Sequence, residues 1–87
     1  MRRQDKQFLK LNDRWALAFD PLQWIVQRRA GIEWRAMSFI STKKRILLDV
    51  LNKKGVLPTH EANDVLRYLP ENFIEWHEHY QTMESGK

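Results

Sequence analysis

The residues of this 87-residue chain whose types could do chemistry are three histidines, a run of three cations and three arginines within apolar, β-forming sequence. His60 stands alone, whereas Trp76-His77-Glu78-His79-Tyr80 places two imidazoles two positions apart. On a helix such positions lie about 200° apart around the axis, so His77 and His79 do not share an ion. Glu75 and His79 do have the i, i+4 spacing, but two ligands fall short of the three or four protein ligands that zinc takes. The expectation is a solvated helix face and no metal site.

Nucleophilic catalysis needs a Ser, Thr or Cys held beside a base. Ser38, Ser41 and Thr42 stand just before an apolar run at helical spacing, and N-capping of that helix accounts for Ser41 and Thr42. The sequence has no Cys, no Gly-rich phosphate loop, no G-x-S-x-G turn and no carboxylate pair embedded in apolar residues. It therefore reads as a non-enzyme with no catalytic residue and no cofactor.

The cations say more. Lys43, Lys44 and Arg45 fall in the first turn of the expected helix, where the dipole and the free N–H groups favour anions, and each misplaced charge costs ~0.3–1 kcal/mol. A phosphate bound there would relieve the conflict. Lys53 and Lys54, at the other end of the same helix, agree with the dipole. Arg28, Arg29 and Arg35 lie on expected strands with Trp24 and Trp34 nearby, a mixture that can contact phosphates and stack on bases. Arg28, Arg29, Arg35, Lys43, Lys44 and Arg45 are thus the expected nucleic-acid-binding set.

The elements that must position these groups follow from periodicity. Trp15, Leu17 and Phe19 alternate with Arg14, Ala16 and Ala18, the period of a strand with one buried face. Asp20-Pro21 marks a turn; Trp24 to Arg29 is rich in β-formers; Ala30-Gly31 reverses the chain; and 33–40 supplies a third strand. Helical spacing then takes over. Ile46, Leu47, Val50 and Leu51 predict a helix over about 42–54 ending at Gly55. Ala62, Val65, Leu66 and Leu69 predict a second over roughly 60–69, opened by Pro58-Thr59. Phe73, Trp76 and Tyr80 predict a third after an Asn72/Glu75 capping box, with 82–87 frayed.

The fold class is α+β: a three-stranded antiparallel meander over 14–40, three helices over 42–80 packed on it, and residues 1–10 as a loose basic arm, all in one domain spanning 1–87. Trp15, Leu17, Phe19, Trp24, Val26, Met37 and Phe39 should meet Leu47, Val50, Leu51, Leu66, Phe73 and Trp76. The opposite sheet face would carry Ala16, Ala18, Ala36 and Ser38. With Trp34, these small residues form the expected surface of an alternative reading, a protein-interaction module.

Composition bounds the setting. Residues 1–55 hold thirteen Lys/Arg against five Asp/Glu, and residues 56–87 hold two against six. That asymmetry points to nucleic acid or an acidic protein as partner. The absence of Cys fits a reducing compartment, and no apolar run reaches the ~18 residues of a membrane span, so a cytoplasmic location without membrane contact is expected.

Two resemblances bear on function. Three strands leading through Ser38-Phe39-Ile40-Ser41-Thr42-Lys43-Lys44 into a helix resemble, over residues 14–54, the integrase-arm and AP2-type DNA-binding domains, which lay a three-stranded sheet in the major groove. The sequence departs from them in its Trp- and Ala-rich strand faces and in its two further helices. The wider pattern, residues 16–20, Gln23-Trp24-Ile25, Trp34, Ser38-Phe39 and 69–76, resembles short proteins of bacterial genomes and mobile elements without established activity. This implies an accessory protein of a phage or plasmid, such as an inhibitor or regulator of host machinery.

Overall fold

The computed structural model describes residues 6–85, with side chains through Tyr80. An antiparallel sheet in the order β1-β2-β3-β4 comprises β1 (Lys6–Lys10), β2 (Trp15–Asp20), β3 (Gln23–Ala30) and β4 (Glu33–Ile40). Three helices follow: α1 (Lys44–Lys53), α2 (His60–Arg67) and α3 (Phe73–Ser85). The α+β class is as expected, but the sheet has four strands rather than three.

The additional strand lies in the segment expected to be a loose arm, of which residues 1–5 fall outside the described residues. Pairing steps from Gln7↔Ala18 to Leu9↔Leu17, so Phe8 is the extra residue of a β-bulge. The bulge lets Phe8 join Leu9 on the helix side, where its ring lies 4.7 Å from that of Trp76 and 5.9 Å from that of Phe19. Two adjacent residues on one face erase the period of two, which is why the strand is silent in the sequence.

A second bulge changes the face assignment of β4. Trp24 pairs with Ile40 and Val26 with Ser38, but Gln27 pairs with Ala36, leaving Met37 as the extra residue. Ile40 therefore enters the core and is 3% exposed, whereas Met37 and Phe39, expected in the core, are 43% and 47% exposed. The same shift puts Ser38 on the helix side, opposite Val26, and not with Ala16, Ala18 and Ala36. On β2 the division into large and small faces is as read: Leu17 and Phe19 belong to the core cluster, and Ala16 and Ala18 lie opposite Gln27 and Ile25 on the other face.

The core is aromatic at its centre. Trp24 meets Phe73 edge-on at 5.4 Å, Phe19 meets Trp76 at 5.0 Å, and Tyr80 lies 5.1 Å from Trp76. The first two are edge-to-face contacts, which add about 0.5–1.5 kcal/mol each beyond area burial. Leu47 and Leu51 of α1, Ala62 and Leu66 of α2, and Val56 and Leu69 of the connections complete it.

Helix ends are satisfied in ways that sequence spacing did not reveal. The N-cap of α1 is Lys43, not Ser41 or Thr42, and it makes no side-chain cap. Backbone groups do the work instead: the Lys44 N–H donates to the Glu71 carbonyl and the Phe73 N–H to the Thr42 carbonyl, both at 2.8 Å, joining the starts of α1 and α3. At α2, which opens at Pro58-Thr59 as expected, Thr59 is the N-cap, its Oγ1 accepting from the Ala62 N–H at 3.2 Å. α3 runs on to Ser85, past the point where fraying was expected. Among the described residues no helix is long and apolar enough to cross a membrane.

Candidate nucleic-acid interface

Antiparallel connectivity brings the β1–β2 loop and the β3–β4 hairpin to one end of the sheet. The loop is shaped by Asn12, whose Oδ1 accepts from the N–H groups of Arg14 (2.8 Å) and Trp15 (2.9 Å) while its Nδ2 donates to the Leu57 carbonyl at 3.0 Å. The hairpin closes on the pair Ala30↔Glu33 through Gly31-Ile32, with Gly31 at φ +66° and Ile32 at negative φ. That is the II′ pattern, whose twist matches the strands and which needs Gly at its first position.

Four arginines gather at this end. On the helix-side face Arg28 lies directly opposite Arg35 on one flank and Trp15 on the other. The Arg28 guanidinium sits 5.9 Å from the Trp15 ring centroid, within cation–π range. On the other face Arg29 pairs with Trp34, and its N–H donates to the Arg14 carbonyl at 2.7 Å. The Arg29 Nε also donates to the Gly31 carbonyl at 3.0 Å, which fixes its stem along the hairpin and leaves other guanidinium N–H groups open. Arg14, Arg28, Arg29 and Arg35 are all exposed, and none forms an ion pair among the described residues, although Asp13 and Glu33 are close in sequence.

The expected six-cation set is thus not one patch. Arg28, Arg29 and Arg35 share the sheet end but divide over its two faces. Lys43, Lys44 and Arg45 lie past the far end of β4, whose backbone runs about 17 Å from Arg35 to Ile40 at ~3.3 Å per residue. Of those three, Lys44 is engaged internally: its Nζ donates to the carbonyls of Arg67 (3.0 Å) and Leu69 (2.9 Å), at the C-terminus of α2. The cation that contradicts the dipole of α1 answers the dipole of α2. Lys43 and Arg45 remain exposed.

Arg14 was missed as a site residue because its link to Arg29 depends on strand pairing. Ala16, Ala18 and Ala36 share the face away from the core cluster, but Ala16 and Ala18 are fully buried, so the small-residue surface expected there is not open; Ala36 and Trp34, one row further along, are half-buried. The histidines of α3 separate: His77 stacks on Phe73 at 5.3 Å and meets Phe19 at 5.7 Å, while His79 lines a surface groove between α2 and α3. The chain matches no family model, and neither a curated protein nor a solved structure shows significant similarity to it.

Proposed function

We propose that this chain is a non-enzymatic binding domain that takes a polyanion, nucleic acid foremost, on the arginine end of its sheet. The observation that carries this reading is the directly opposed pair Arg28↔Arg35. Like charges facing each other across strands are destabilising, and here no carboxylate among the described residues offsets them. A phosphate lying between the two guanidinium groups would turn that repulsion into a charge-assisted clamp, since arginine matches phosphate geometry bidentately. Arg14 and Arg29 would extend the contact around the edge of the sheet.

The test is binding of the purified domain to labelled single-stranded and duplex DNA and RNA across a salt series. Submicromolar binding near physiological salt that weakens steeply as salt rises is the expected result. Binding confined to millimolar concentrations, or insensitive to salt, would overturn the reading.

A second reading, a protein-interaction module of the kind a phage or plasmid uses to regulate host machinery, is favoured by Met37 and Phe39, which are about half exposed on β4. Half-buried Trp34 and Ala36 would then join them in the contact surface, whereas Ala16 and Ala18, fully buried, would not touch a partner. Under this reading Trp34→Ala abolishes capture of the partner and leaves the fold intact; an unfolded variant would assign Trp34 to the structure instead.

A further inference from the structure

The charge division of the sequence becomes a division between parts of the fold. Residues 60–80, which make up α2 and most of α3, contain Glu61, Asp64, Glu71, Glu75 and Glu78 against the single Arg67. Between these helices lies a groove of about 780 Å³ with Val65, Tyr68, Leu69 and Trp76 among its apolar lining and Asp64 and Glu75 as its carboxylates. Tyr68 is 79% and Val65 44% exposed, so the groove presents apolar surface that the fold itself leaves uncovered. A suitable occupant is cationic and brings an apolar side chain at its tip.

The chain carries such an element. Ile32, at the turn of the β3–β4 hairpin, is 94% exposed, more than any other large hydrophobic side chain among the described residues. Arg28 and Arg29 approach it on β3 and Arg35 leaves it on β4, so the hairpin bearing this aliphatic tip carries three cations against one acid, Glu33. A two-residue turn gives a narrow, stiff projection whose presentation costs little conformational entropy.

We infer that the β3–β4 hairpin of one copy docks in the α2–α3 groove of another, Ile32 packing against Val65 and Tyr68 while the arginines meet Asp64 and Glu75. Tip and groove are different surfaces, so the contact is head-to-tail: it closes into a dimer if each copy fills the other's groove and otherwise extends as an open chain. A single hairpin in a groove buries less than the ~1,200 Å² of a stable interface, so association is weak and is weakened further by salt.

Sedimentation velocity over a concentration series at low salt tests the inference. The wild-type chain should show a sedimentation coefficient that rises with concentration and falls back as salt is added. Ile32→Ser and Tyr68→Ala alter side chains that are largely exposed, so each should keep its cooperative unfolding transition and weaken self-association by about tenfold or more, the loss of one anchor contact. Each variant retains the surface the other lacks, so mixing them should restore a pair held by one contact. Three outcomes would overturn the inference: a wild-type chain that stays monomeric throughout, association that Ile32→Ser leaves unchanged, or two variants that ignore each other in the mixture. Nucleic-acid binding by Ile32→Ser, whose arginines are intact, reports separately on the proposed function.

Discussion

Replacing Lys44 with Met removes two hydrogen bonds, from Nζ to the carbonyls of Arg67 and Leu69, and the positive charge that faces the C-terminus of α2. Each bond to a charged donor is worth about 1.5–3 kcal/mol when fully buried. Lys44 is only partly buried, so water can take up the freed carbonyls, and the two bonds together are worth ~1–2 kcal/mol. Against this, removing a cation from the first turn of α1 returns ~0.3–1 kcal/mol. The net expectation is a loss of about 1 kcal/mol, or a fall in Tm of ~4–8 °C for a domain of this size. Arg45→Met is the matched control: its side chain is exposed and in the same turn, so the dipole relief stands alone and the variant should be unchanged or slightly more stable. Urea denaturation followed by circular dichroism measures both. If Lys44→Met were as stable as the wild type or more so, Lys44 would not be a cap of α2 and its charge would need a different explanation.

The register of β4 predicts opposite outcomes for neighbours. Ile40→Ala, at a buried position, should cost about 2–5 kcal/mol, whereas Phe39→Ala, 47% exposed, should cost far less, both read from urea midpoints. Phe8→Ala tests the first strand and should cost ~2–3 kcal/mol, somewhat less than a fully buried Phe, with an accompanying loss of near-ultraviolet aromatic signal. Gly55 ends α1 at φ +72° with open space around its missing Cβ, so Gly55→Ala should lose about 1–2 kcal/mol of stability from backbone strain alone and Gly55→Asn clearly less.

What the sequence made legible is what depends on neighbours in the chain. Trp15, Leu17 and Phe19 alternate without interruption, and β2 forms where that pattern stands. Helical spacing located all three helices to within a few residues, because each has one apolar stripe and a Gly or Pro near an end. Bulges account for the errors in the sheet: Phe8 breaks the phase of β1, so the strand reads as an arm, and Met37 shifts the phase of β4, exchanging Phe39 for Ile40 in the core. The candidate site depended on pairings far apart in sequence. Arg28, Arg29 and Arg35 could be singled out by type, but their division over two faces, the addition of Arg14 and the separation from Lys43 and Arg45 follow from strand order. Lys44 could be recognised as anomalous by its place in the helix, while the carbonyls that answer it lie 23 and 25 residues away.

The central claim is that the opposed arginines at the sheet end contact phosphate. Its most direct test compares the salt dependence of nucleic-acid binding for the wild type, Arg28→Ala/Arg35→Ala and Lys43→Ala/Arg45→Ala. Each lost phosphate contact should reduce the slope of log K against log salt by ~0.7 on a single strand or ~0.9 on a duplex. The arginine pair should therefore remove about 1.4–1.8 from the slope and bind more weakly at every salt concentration. An arginine variant that kept both the affinity and the slope of the wild type would contradict the account.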